Sequence, residues 1–201
     1  MADIDPKRTA LLLIDMQNDS FHPKGAFGRA HQLLPDGQAL IQRLKPVVEA
    51  MRAADGWIVS THFTLVAGKH GEPFIPDHTR SMRPYLKKGD YLPGSFGHRL
   101  VDELSPADIT VEKIGPNAFY MTRLEWVLHQ ANIETLVLAG FSTNGSVAAT
   151  ARDAHLRDFK LIVLEDGCTA VPPEAHKTAI HDLASVATIR ACRDLPALLK
   201  G

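Results

Sequence analysis

Cysteine is scarce in this chain, which carries only Cys168 and Cys192. They do not form the closely spaced pair that holds structural zinc, and two thiols in a cytosolic domain stay reduced, so we assign neither a disulfide nor a catalytic role. An excess of charge of one sign is lacking too. With a net charge of -1, there is no electrostatic case for nucleic acid or an anionic membrane surface, and a small-molecule ligand fits better. Long hydrophobic runs are absent. The longest, such as Thr9 to Ile14, fall far short of the ~20 residues of a membrane span, and Met1 to Asp5 does not read as a signal peptide. The chain therefore reads as cytoplasmic. No linker, internal repeat or low-complexity tract interrupts it. Its 201 residues suit one domain spanning 1–201, which would bury roughly 70% of the surface its unfolded chain exposes.

What is present is an alternation of short apolar runs and helical patterns. The runs at 10–14, 57–62, 109–112, 136–139, 160–164 and 187–190 read as strands. Between them, helical spacing predicts a helix over 31–54, interrupted near Pro35 and again at Pro46, and others over 117–132, 144–157 and 173–184. This order predicts an α/β fold: a three-layer α/β/α sandwich around a mostly parallel sheet of about six strands. Residues 63–106 are rich in proline and glycine and lack a period. Connections this long are uncommon unless they cover a site, so we read a lid with a short helix near 97–104.

Three polar residues follow three different strands. Asp15 ends the first, Lys113 ends the third, and Ser146 lies on the first turn of the helix after the fourth, with Thr143 or Asn144 as its cap. In an open parallel sheet those strand ends share the ligand-binding edge. Alone, each has an ordinary explanation as a loop cap, a solvated charge or a helix-start residue. Together they give an acid, a cation and a nucleophile position at a helix N-terminus, where developing negative charge is favoured.

The segment Gly140-Phe141-Ser142-Thr143-Asn144-Gly145-Ser146-Val147, continuing to Thr150-Ala151-Arg152-Asp153-Ala154, resembles the signature of the isochorismatase-like cysteine hydrolases, the superfamily of nicotinamidase, N-carbamoylsarcosine amidohydrolase and biuret hydrolase. The likeness extends to Leu12 through Asp19, Pro93-Gly94-Ser95, Lys113, Asn117-Ala118-Phe119 and Thr122-x-Leu124. It implies a Rossmann-like topology and hydrolysis of a small amide or ureido substrate by covalent thiol catalysis, without an organic cofactor. Asp15 would be the acid/base and Lys113 its charged partner. A cis peptide at Phe141-Ser142 would aim the N–H groups of Ser142 and Ser146 into an oxyanion hole. A homo-oligomer, dimer or tetramer, is also implied.

The departure is at Ser146, where the signature has cysteine. A serine hydroxyl is far less acidic than a thiol, and an aspartate is a poor replacement for the imidazole that usually activates it. We read Ser146 as a deliberate inactivating replacement of cysteine; a natural serine, or a scaffold with other chemistry, is the alternative. Two rival functions follow. One is an isochorismatase-type hydrolase that cleaves a vinyl ether with the aspartate as acid, and the other is a catalytically silent binding or scaffold protein.

Candidate substrate contacts are Phe21, His62, Asn117 and Phe119, with Phe27 also available to line a pocket. The metal-binding Asp-x-His pair of nicotinamidases is Ser60-Thr61-His62 here. Lacking that carboxylate, His62, His70 and His78 are read as holding no metal. His176 and His181 are placed on a surface helix. Arg80, Arg83, Lys87 and Lys88 are read as a solvated basic loop, with a substrate carboxylate as their other partner.

Overall fold

The computed structural model describes residues 4–199. Of the N-terminal stretch considered above, Met1 to Asp3 lie outside the described residues. The chain runs through β1 (Thr9–Ile14), α1 (Asn18–Phe21), α2 (Ala26–Arg29), α3 (Gly37–Ala53), β2 (Trp57–Phe63), α4 (Asp77–Met82) and β3 (Ile109–Lys113). It continues with α5 (Leu124–Gln130), β4 (Thr135–Phe141), α6 (Ala148–His155), β5 (Lys160–Thr169), α7 (Pro173–Leu183), β6 (Thr188–Arg190) and α8 (Leu195–Leu198). All six predicted strands are present, and they form one parallel sheet in the order β3-β2-β1-β4-β5-β6.

β1 is central, and every one of its residues is buried. Because side chains alternate across a strand, Leu11 and Leu13 enter one core layer with α3 and α8, while Ala10, Leu12 and Ile14 enter the other with α5 and α6. The strand order reverses between β1 and β4, and the crevice at such a reversal is where ligands bind in open α/β sheets. Among the described residues no helix is long and apolar enough to cross a membrane.

Several helix boundaries differ from expectation, each for a local reason. The 31–54 helix starts only at Gly37, after Pro35, yet it runs unbroken through Pro46. Leu40, Ile41, Leu44, Val47, Val48 and Met51 pack along its whole length, which offsets the missing proline N–H. The 117–132 helix does not form until Leu124. Upstream, the Asn117 side chain accepts from Phe119 N–H, Thr150 Oγ1 accepts from Ala118 N–H, and Thr122 Oγ1 accepts from Leu124 N–H. These side-chain bonds offer the backbone an alternative to helix. The helix near 97–104 is only a 3-10 turn at Asp102–Leu104, and α4 was not foreseen.

The approach of β4 to β1 depends on Gly140. Its φ is +134°, and an added Cβ would lie 2.1 Å from the carbonyl oxygen of Ile14, far inside contact distance. Gly140 also sits opposite Ile14 in the ladder, one residue before Asp15. Gly140→Ala should therefore cost about 3 kcal/mol or more, from positive-φ strain plus displacement of β4. Urea unfolding measures this, and an unchanged midpoint would show that the strand ends tolerate a wider spacing.

Candidate active site

Asp15 turns out of β1 in a left-handed conformation (φ 56°), which aspartate tolerates better than most side chains. Its N–H donates to Thr61 O at 2.9 Å. That bond aims its carboxylate across the sheet edge. Oδ1 accepts from Phe63 N–H at 3.1 Å, and Oδ2 accepts from the Ser146 hydroxyl at 2.8 Å. Lys113 Nζ reaches the same Oδ2 at 2.7 Å. The ammonium also donates to Gly115 O at 2.9 Å and to Ser146 Oγ at 3.3 Å. The three residues expected to converge are therefore within hydrogen-bond distance of one another. Burial pushes the Asp15 carboxyl above the usual carboxylate range, against the opposing pull of the Lys113 charge and the hydrogen bonds it accepts.

Ser146 is carried by a single π-type turn, Thr143–Val147, that leads into α6. Such turns are frequent at functional sites. Neither Thr143 nor Asn144 caps it: the N-cap is Ser142, and no side-chain capping bond forms. Thr143 Oγ1 is instead bonded to His176 Nδ1 at 2.8 Å. His176 is thus half-buried against the turn, whereas His181 is exposed, as expected. The Phe141-Ser142 peptide is cis.

A cavity of about 940 Å³ opens above this constellation and includes Asp15, Ser142, Gly145 and Ser146 in its lining. Much of its wall comes from 63–106, through residues such as Phe74, Ile75, Met82 and Arg83. That segment is fastened by the polar run after Asp15. Gln17 Nε2 donates to Phe63 O and His98 O, and Asn18 Nδ2 donates to Phe96 O. Buried Asp19 accepts from Ala26 N–H at 2.8 Å and Tyr91 N–H at 2.6 Å.

The four expected substrate contacts are not brought to this cavity. Phe21 is buried one layer behind, edge-on to the cavity residue Phe141 at 6.1 Å. His62 is buried, with Nε2 2.8 Å from Ser60 Oγ and its ring against His98. Asn117 donates to Asp153, and Phe119 lies in the core, stacked on Phe159. Phe27 also packs behind Phe141. The wall residues Phe63, Phe74 and Met82 were missed; only the lid reading for 63–106 pointed toward them. Among the described residues, no three His, Cys, Asp or Glu side chains form a metal-sized cluster. Cys168 and Cys192 are free and buried, and burial pushes the Cys168 thiol up to about 12.

The sequence profile of the isochorismatase domain matches residues 9–193. The chain is 32% identical over 197 residues to the ureidoacrylate amidohydrolase RutB of Caulobacter segnis, covering 90% of this chain and 81% of that protein. A cysteine hydrolase from Pseudomonas syringae pv. phaseolicola superposes with a TM-score of 0.84 over 100% of this chain and 96% of the other. At 21% identity it speaks to the fold alone. An N-carbamoylsarcosine amidase from Thermoplasma acidophilum gives a TM-score of 0.70 at 25% identity, covering 92% and 95% of the two chains.

Burial, with His98 beside it, pushes the His62 imidazole down to about 3. Folded His62 thus stays neutral where the unfolded chain takes up a proton, and stability falls as pH drops from its unfolded pKa near 6.5 toward about 3. The slope from this group approaches ~1.4 kcal/mol per pH unit. His62→Gln, which keeps a hydrogen-bonding group beside Ser60, should flatten it. Urea unfolding of both proteins between about pH 6 and 4 tests this, and equal slopes would remove His62 from the acid response.

Proposed function

The chain belongs to the isochorismatase family, and from that premise we propose that it is a hydrolase of amide or ureido C–N bonds built on Asp15, Lys113 and position 146. The observation that carries the reading is the meeting of these groups, from the ends of β1 and β3 and the turn after β4, with Asp15 and Ser146 on the floor of one cavity and Lys113 buried behind them. Similarity to an amidohydrolase and an amidase supports the bond class.

In this reading the side chain at 146 attacks the carbonyl carbon and passes its proton to Asp15 Oδ2. The carbonyl oxygen becomes an anion facing the N–H groups of Ser142 and residue 146. As the C–N bond breaks, Asp15 gives the proton to the departing ammonia or amine. Water, deprotonated by Asp15, then cleaves the acyl-enzyme. The raised proton affinity of Asp15 suits both transfers. Lys113 stabilises the ionised nucleophile and fixes the carboxylate. Neither partner of Ser146 Oγ is an imidazole, so a serine here has weak activation, and we read the present chain as inactive or very slow. The missing thiol and the raised Asp15 also favour a second reading, in which Asp15 acts as the acid in cleavage of a vinyl ether.

Ser146→Cys should raise ammonia release from small amides and ureides by ~10³-fold or more, about 4 kcal/mol of barrier, and make the protein sensitive to thiol alkylation. A cysteine variant that releases no ammonia from a broad panel and resists alkylation at 146 would sink the amidase reading in favour of the vinyl-ether hydrolase or a silent binding protein. In the cysteine background, Asp15→Asn should remove turnover by ~10²–10⁴-fold with the fold retained. Steady-state kinetics with circular dichroism checks this, and near-complete retention of activity would take Asp15 out of the mechanism.

A further inference from the structure

The walls of the cavity differ in character from its floor. Phe63, Phe74, Ile75, Met82, Ile114 and Phe141 all line it. Phe74, Met82 and Ile114 keep 69%, 59% and 50% of their surface exposed. The Ser20 and Tyr91 hydroxyls in the lining are 2.9 Å apart and satisfy each other. Among the described residues, the charged side chains in the lining are Asp15, held by Lys113, and Arg83. Half-buried Arg83 sits over the Phe27 ring, 5.5 Å from its centroid. Among the described residues it forms no ion pair, whereas Arg29 and Arg157 are paired with carboxylates.

Resting on the hydrolase reading, we propose that the substrate carries its scissile amide or ureido group on a bulky, arene-sized apolar body ending in a carboxylate that Arg83 holds. A cavity of about 940 Å³ lies at the upper end of the ~300–1,000 Å³ that drug-sized ligands occupy. A minimal polar amide would leave its walls facing water, whereas an aromatic body covers them. A guanidinium already stacked on an aromatic face, with its N–H edge unpaired by carboxylate, is suited to bidentate carboxylate binding. Asp15 at the floor and Arg83 on the wall then read the two ends of one molecule.

Binding to the unmodified serine chain is the readout, so the inference does not depend on turnover. Calorimetry compares para-(ureidomethyl)benzoate, its methyl ester and methylurea. The acid should bind ~100-fold more tightly than methylurea and ~10-fold more tightly than the ester. Arg83→Gln should abolish the acid–ester difference and leave the ester unchanged. Phe74→Ala should weaken both aryl compounds several-fold, ~1 kcal/mol or less by the usual conversion. Both residues are on the surface side of the cavity, and thermal melts report whether the variants fold; the acid–ester comparison on the unmodified chain stands without them. Methylurea binding as tightly as the aryl compounds, no aryl binding, or an acid–ester gap that survives Arg83→Gln would each overturn the proposal. Ammonia release from the same compounds by Ser146→Cys reports on the hydrolase reading alone.

Discussion

Asp15 and Lys113 are 6% and 1% exposed, so each charge has exchanged water for protein. Withdrawal of such ions costs several kcal/mol apiece, which their attraction offsets only when geometry and further hydrogen bonds are good. Here Asp15 accepts from Phe63 N–H and Ser146 Oγ–H as well as from the ammonium, and Lys113 donates to Gly115 O besides. Those partners come from β2, from the turn after β4 and from the loop after β3. Half the sheet edge is consequently organised around one desolvated pair. A buried pair of this kind is weak evidence of added stability and stronger evidence of a site where charge is needed.

A second buried carboxylate does the corresponding work for the loops. Asp19 ties the turn at Ala26 to the distant backbone of Tyr91, and Gly97 passes so close that an added Cβ would lie 2.2 Å from the Asp19 carboxylate. Gln17 and Asn18 add bonds to the same stretch. Because polar bonds fasten much of the 63–106 segment, apolar side chains such as Phe74 and Met82 are not consumed in holding it down. They remain turned to the cavity. Anchoring of the loop and lining of the cavity thus draw on different side chains of one connection.

The strands and the meeting of Asp15, Lys113 and Ser146 were legible for a shared reason. Buried parallel strands leave apolar runs that end abruptly, and a polar residue at each end marks the sheet edge, as at Asp15 and Lys113. The start of α5 was not legible, because bonds from Asn117, Thr122 and Thr150 compete with the helix without disturbing its apolar spacing. Nor was the fate of Phe119 or His62. Proximity in sequence to Lys113, or to a strand end, does not reveal which face a side chain takes. Arg83 carried the opposite ambiguity: in an aperiodic loop, nothing separates a solvated cation from one that lines a cavity.

Gly140 brings β4 within reach of Ile14 through its backbone alone, and Ser146 follows on a turn whose side chain is only half-buried. The spacing of Asp15 and Ser146 is therefore written into glycine and strand register, not into the identity of the atom at position 146. A substitution at position 146 can therefore change the chemistry of that one atom while the strands that aim it stay in place.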